Sequence, residues 1–227
     1  MIASASDNIA NLNTASYKLK RQEFSSLISS TSSDVRQGVQ VESEGIDFTA
    51  GEIVGSKNSM DVSIEGSAFI ELVSENGETF LSKGGRLRVN EEGFLELKSG
   101  YMLSSMVMVS PDIVSMSIDQ QGVVTGVSND GQSLKLGQID LIKPVSTSSL
   151  VEQSGGIYKV SDSSNDSLMR VTDGSSQVIQ YSKELSNVDL TEELVLLMVA
   201  QNMYKANSNV ININSTVSQW LTDLLKV

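Results

Sequence analysis

The chain has 227 residues, a net charge of -12, no His and no Cys. Lacking both residue types, it has no thiol nucleophile, disulfide, Ser-His triad or His-based metal site, and no cofactor is expected. The acidity opposes nucleic acid and anionic membrane surfaces, which are bound through Lys and Arg. At 39% hydrophobic and 5% aromatic, the composition suits many short strands and turns over a thin core. No apolar run approaches a membrane span, so direct membrane insertion is not expected. No basic segment precedes an apolar one either; a protein of this kind working outside the cytoplasm is expected to leave without a cleaved signal peptide.

Residues 1 to 12 predict a helix, with Ile2, Ala5, Ile9 and Leu12 at spacings of three and four. Asn8, Asn11 and Asn13 favour caps and turns over helix interiors, so the Asn run is expected to end this helix, with Thr14, Ala15 and Ser16 as the turn. Lys18, Lys20 and Arg21 read as a solvated basic cluster. The stretch SSLISSTSSD (25 to 34) reads as a flexible connector. From 35 to 186 the pattern is β. Turn signals recur at Asn76-Gly77, Glu92-Gly93, Ser99-Gly100, Gln121-Gly122, Asp130-Gly131 and Gly155-Gly156, and predict two-residue hairpin turns between antiparallel strands.

Residues 188 to 226 predict one long helix. Leu196, Val199, Met203, Ala206, Val210, Ile213, Val217, Trp220 and Leu224 follow at alternating steps of three and four, a heptad seam. Asp189 is placed to cap it, with Glu192 three residues on, and Glu193 in the first turn suits the helix dipole. At 1.5 Å per residue such a helix is about 57 Å long, against a radius of gyration near 15 Å for a β domain of this size. It must overhang, and an overhanging seam requires a partner. Asn202, Asn207, Asn209, Asn212 and Asn214 along it supply neutral hydrogen-bonding groups that pack between helices at less cost than charges. The expected architecture is mainly β with terminal helices: 1-34 and 187-227 form a helical assembly domain, its helices paired as a coiled coil, around an antiparallel β domain at 35-186.

The stretch NIANLNTASYK, Asn8 to Lys18, resembles the N-terminal signature of the bacterial flagellar axial proteins, the rod and hook subunits. Asn8, Ala10, Asn11, Thr14, Tyr17 and Lys18 match, and Ser16 stands where the family usually has Gly. LSNVDLTEELVLLMVAQNMYKANSNVI resembles the matching C-terminal segment, and NSMDVSIEGSAFIEL a central one, with Ala68 in place of a family Gly. The resemblance covers nearly the whole chain and is closest to the rod proteins, with hook-like features at the C-terminus. It implies terminal helices paired in an inner layer, a β domain facing outward, and helical stacking into a tube. It also implies further copies and other axial proteins (rod, hook and junction) as partners, passage through the flagellar type III export apparatus, and a place in the periplasm-spanning basal body. The family pattern has a longer amphipathic helix ahead of the motif than Met1 to Asp7 provide, so a short N-terminal helix is expected.

The functional expectation is a structural subunit that polymerises helically and transmits torque. Its interface is expected at Asn8, Asn11, Thr14, Tyr17 and Lys18 together with the seam from Leu196 to Leu224. Alternatives are a hook or hook-like subunit, or a non-polymerising binding module docking through its C-terminal helix; concentration dependence separates the module from the polymer. An enzyme is not expected. Glu91-Glu92 and Glu192-Glu193 are adjacent pairs whose members point apart on a strand or helix, unlike carboxylates facing each other across a cleft.

Overall fold

The computed structural model describes residues 1–27, 38–74, 76–160, 168–171 and 174–224, with the side chains of 23–27, 38–44, 154 and 222–224 also outside the description. Helix α1 (Ile2–Ala10) is followed by β1 (Leu19–Leu27), β2 (Gly38–Asp47), β3 (Ile53–Gly55), β4 (Asp61–Glu65), β5 (Phe69–Val73) and β6 (Thr79–Ser82). Then come β7 (Gly84–Val89), β8 (Leu95–Leu97), β9 (Met102–Leu103), β10 (Ile113–Ile118), β11 (Val123–Ser128) and β12 (Ser133–Gln138). The chain continues through β13 (Leu141–Pro144), β14 (Leu150–Ser154), β15 (Ile157–Val160), β16 (Leu168–Arg170), β17 (Gln177–Gln180) and β18 (Ser182–Glu184) to the long helix α2 (Leu190–Leu224).

Two compact units result: Met1–Ala10 with Gln22–Glu44 and Val188–Val227, and Asn11–Arg21 with Gly45–Asn187. The larger unit is built on an 11-stranded sheet in the order β14-β15-β6-β5-β9-β8-β7-β4-β17, with β13 and β16 attached beside β5. Strands β10, β11 and β12 form a separate meander, and β18 pairs with β3. Strand β5 shows why the sheet is buried on both faces. Its side chains alternate: Ile70 and Leu72 enter the main core with Val62, Leu87 and Leu95, while Phe69 enters a second cluster with Leu81, Leu150 and Tyr158. There Phe48, Phe69 and Tyr158 meet edge-on at 5.0 to 6.2 Å between ring centres, the arrangement aromatic quadrupoles favour.

All six glycine turn signals join neighbouring strands at positive φ. Gly155-Gly156, left-handed at φ 57° and 81°, forms the expected two-residue turn between Ser154 and Ile157, but the other five turns are one residue longer. At the β7–β8 turn Gly93 N donates to Asn90 O and Asn90 N donates to Phe94 O; Gly93 has φ 88°, while Glu92 is not left-handed. This is a three-residue loop closed by a left-handed glycine. The turns at Gly77, Gly122 and Gly131 repeat its bonding. A single left-handed position suffices, so Glu, Gln, Asp and Asn all serve before the Gly.

Two expectations near the N-terminus are revised. Strand β1 occupies Leu19–Leu27, where a connector was expected, and pairs with β2 as a two-stranded sheet; polar side chains are compatible with a strand whose pairing is supplied by its partner's backbone. The rest of the predicted flexible stretch, 28 to 34, lies outside the described residues. Helix α1 ends at Ala10, and turns carry the chain through Asn11 to Ser16, with Thr14 N donating to Asn11 O. No helix among the described residues is long and apolar enough to cross a membrane.

Candidate functional site

In the larger unit, the segment after α1 is clamped by the segment before α2. Ser16 N donates to Glu184 O at 2.8 Å. Lys18 Nζ lies 2.6 Å from Glu184 Oε1 and also donates to Thr49 O at 2.7 Å. Leu19 N donates to Asn187 Oδ1 at 2.7 Å, while Asn187 Nδ2 donates to Asp47 O and to Thr49. Gly51 N completes the Glu184 Oε1 site at 2.9 Å. A Cβ at Gly51 would sit 2.0 Å from Leu185 O, so only glycine allows this approach. One carboxylate and one amide thus hold three segments together.

The clamp is dry. Tyr17 and Lys18 are each 1% exposed and Glu184 is 2% exposed. Lys18 is therefore no part of a solvated cluster; Lys20 pairs with Glu152 at 2.8 Å and Arg21 approaches Asp47 at 3.6 Å. A second buried lysine, Lys83, donates to Gly66 O at 2.8 Å and sits 4.4 Å from the centre of the Phe69 ring. Burial pushes its pKa down to about 8; Glu184 opposes the shift and Lys18 adds to it. Ser16 is buried at φ 62°, and its carbonyl faces Gly156, where a Cβ would approach to 3.0 Å.

In the smaller unit, Asp189 caps α2 as expected, its Oδ1 accepting from Thr191 N at 2.7 Å and Glu192 N at 3.3 Å. These bonds hold its carboxyl below the usual range. Helix α1 packs on α2. Asn8 Nδ2 donates to Glu193 Oε2 at 3.2 Å, with both residues buried. Glu193 thus does more than face the helix dipole. On α1 Ser4, Ala5 and Asn8 are buried; on α2 Glu193 and Ala200 are buried, with Leu196 and Leu197 half-buried between them.

Beyond Ala200 the described side chains of the helix are exposed, except the half-buried Ser208. The large seam side chains run from 41% exposed at Val199 to 73% at Trp220, through Met203, Val210, Ile213 and Val217. Ala206 is exposed too, and the side chain of Leu224 lies outside the description. The terminal helices meet in a short contact, α1 having nine residues against the thirty-five of α2. Of the N-terminal candidates, Asn8, Tyr17 and Lys18 are placed inside the chain, while Asn11 and Thr14 are partly exposed in the turn, with Thr14 Oγ1 donating to Asn11 Oδ1. No local pattern announces Glu184, whose partner Lys18 is 166 positions away, or Lys83, which donates to a backbone carbonyl on another strand's turn.

A β domain that ties the segment after α1 to the segment before α2, carried in one chain with an exposed apolar helix, fits a structural, assembly-type protein. Residues 63–126 match the family described as Flagellar hook protein FlgE/F/G D1 domain, and residues 179–224 match Flagellar basal body rod FlgEFG protein C-terminal. The flagellar basal-body rod protein FlgG of Buchnera aphidicola subsp. Schizaphis graminum is 27% identical, over 96% of this chain and 92% of that protein. FlgG of Agrobacterium fabrum is 27% identical over 97% and 92%, and FlgF of the same Buchnera 18% identical over 97% and 90%. These matches support a structural protein of the flagellar rod and hook type, most like FlgG, and not an enzyme.

Proposed function

We propose that the chain is a structural subunit of the flagellar basal-body rod, polymerising helically through its terminal helices into a tubular axial structure that transmits torque. The rod assignment follows from the FlgG relatives and the rod family match. The observation that carries the mechanism is the exposed seam on α2. Complete burial of a Val, Ile or Met side chain gives roughly 1.5–3 kcal/mol. Association costs an estimated 4–15 kcal/mol, depending on the model. The six large seam residues, already partly covered, are therefore marginal against one neighbour and ample against several. That balance favours a multi-neighbour polymer over a dimer, and a heterologous contact with a non-closing rotation extends it into a filament.

The partners are further copies and the other axial proteins of the basal body, with passage through the flagellar type III export apparatus. The charge of -12 sets repulsion against assembly, so salt promotes it. Sedimentation and negative-stain imaging across concentration and salt test this reading, comparing the chain with one lacking residues 188–227. Open-ended oligomers that vanish with the deletion support it. A persistent monomer or closed dimer at every concentration contradicts it and favours the non-polymerising binding module.

A further inference from the structure

We propose that the Asn8–Glu193 hydrogen bond is a register lock, fixing where α1 stops along α2 and so how much of the seam is left for a neighbouring copy. Its consequence for assembly rests on the function proposed above; its geometry does not. An ionised carboxylate only accepts, so the Asn8 amide nitrogen is the donor across the 3.2 Å contact. From this bond the buried positions run in opposite sequence directions, back to Ala5 and Ser4 on α1 and forward to Ala200 on α2. The helices are therefore antiparallel, with the bond at the end where α1 finishes and α2 begins.

The buried small and apolar positions of the contact carry little register information. Ser4 and Ala5 against Leu196, Leu197 and Ala200 present small or smooth surfaces that a one-turn slide largely reproduces. Such a slide carries Asn8 from Glu193 to the level of Leu197 and strips Glu193 of the Asn8 donor. Directional polar contacts in otherwise apolar helix interfaces select one register in this way. The chosen register matters because Ala200 and Met203 lie about 60° apart around the helix: α1 lies beside the seam and shares only Leu196 with it. A slide towards the C-terminus brings α1 alongside Met203 and Tyr204 and narrows the face offered to a partner.

Because the chain has no Cys, one introduced thiol reports cover without background. Ala200→Cys and, independently, Ala5→Cys are labelled with a small maleimide in dilute monomer, where polymerisation plays no part; Tyr204→Cys marks the bare helix. In the parent chain the first two are expected to be protected and the third to react freely. Asn8→Asp places two carboxylates together and is expected to raise labelling at both protected sites by about tenfold or more. Adding Glu193→Gln exchanges donor and acceptor and is expected to restore protection. Unchanged labelling in Asn8→Asp, or failure of the exchanged pair to restore protection at either reporter, overturns the register lock. Circular dichroism of the β unit verifies that each variant is folded. Failure of the parent chain to polymerise, with this labelling pattern intact, sinks the proposed function and leaves the lock standing.

Discussion

Lys18 and Glu184, 166 positions apart, form a fully buried ion pair at 2.6 Å that ties the start of β1 to the end of β18. The pair gains little over an apolar replacement, because both charges were taken out of water, but breaking it strands one of them. Lys18→Met is expected to destabilise the β unit by about 3–5 kcal/mol. Lys18→Met with Glu184→Leu is expected to recover much of that loss. Urea unfolding of the three chains measures both effects; a double variant as unstable as the single one would show that the clamp depends on more than charge pairing.

Lys83 gives the protein an unusual alkaline response. Its folded pKa of about 8 lies below the 10.5 of an unperturbed lysine, first because it is buried, with Lys18 adding to the shift and Glu184 opposing it. Between those two values the unfolded chain binds more protons than the folded one, so stability rises as pH increases through 8. A gain of roughly 1–2 kcal/mol is expected between pH 8 and 9.5. Lys83→Met is expected to remove this slope while stabilising the chain at pH 7. Denaturant unfolding over that range checks it, and a flat or falling profile in the parent chain would contradict the assignment.

Ser16 occupies a left-handed conformation at φ 62°, which costs a non-glycine residue about 1–2 kcal/mol. Ser16→Gly releases that strain and, after the greater freedom of the unfolded glycine is counted, is expected to stabilise by about 0.5–1 kcal/mol. Ser16→Val, β-branched, is expected to destabilise by more than that. Thermal melts of the two variants should therefore move in opposite directions.

The α2 cap gives a local prediction. Asp189→Ala removes the acceptor for Thr191 N and Glu192 N and is expected to fray the first turn, while Asp189→Ser keeps an acceptor and the helix start. Amide exchange at 191 and 192 reports this, with faster exchange in the alanine variant alone.

What the sequence disclosed and what it hid divide by range. The cap at Asp189, the six glycine turns and the long C-terminal helix are local patterns, and all appear in the structure. Gly155-Gly156 makes the two-residue turn expected of it, with both residues left-handed; the other five turns are one residue longer, since a lone glycine marks one left-handed position without counting the loop. Strand β1 was missed because its polar, Ser-rich sequence carries little periodicity. Lys18 sits in a basic run that looks solvated in sequence, because its acceptor Glu184 lies near the far end of the chain. Asn8 was singled out for assembly, and its buried bond to Glu193 is within the chain; only the fold shows where that amide points.

The central claim is that the seam on α2 builds the polymer. Val210 and Val217 are exposed in the single chain, so Val210→Glu with Val217→Glu leaves monomer folding intact while placing charge where a neighbour must pack. Sedimentation velocity over a concentration series is the direct measurement. The account predicts that the parent chain shifts to ever larger species as concentration rises, while the double variant stays monomeric with an unchanged melting profile. Equal polymerisation by both chains would place the assembly surface elsewhere and contradict the account.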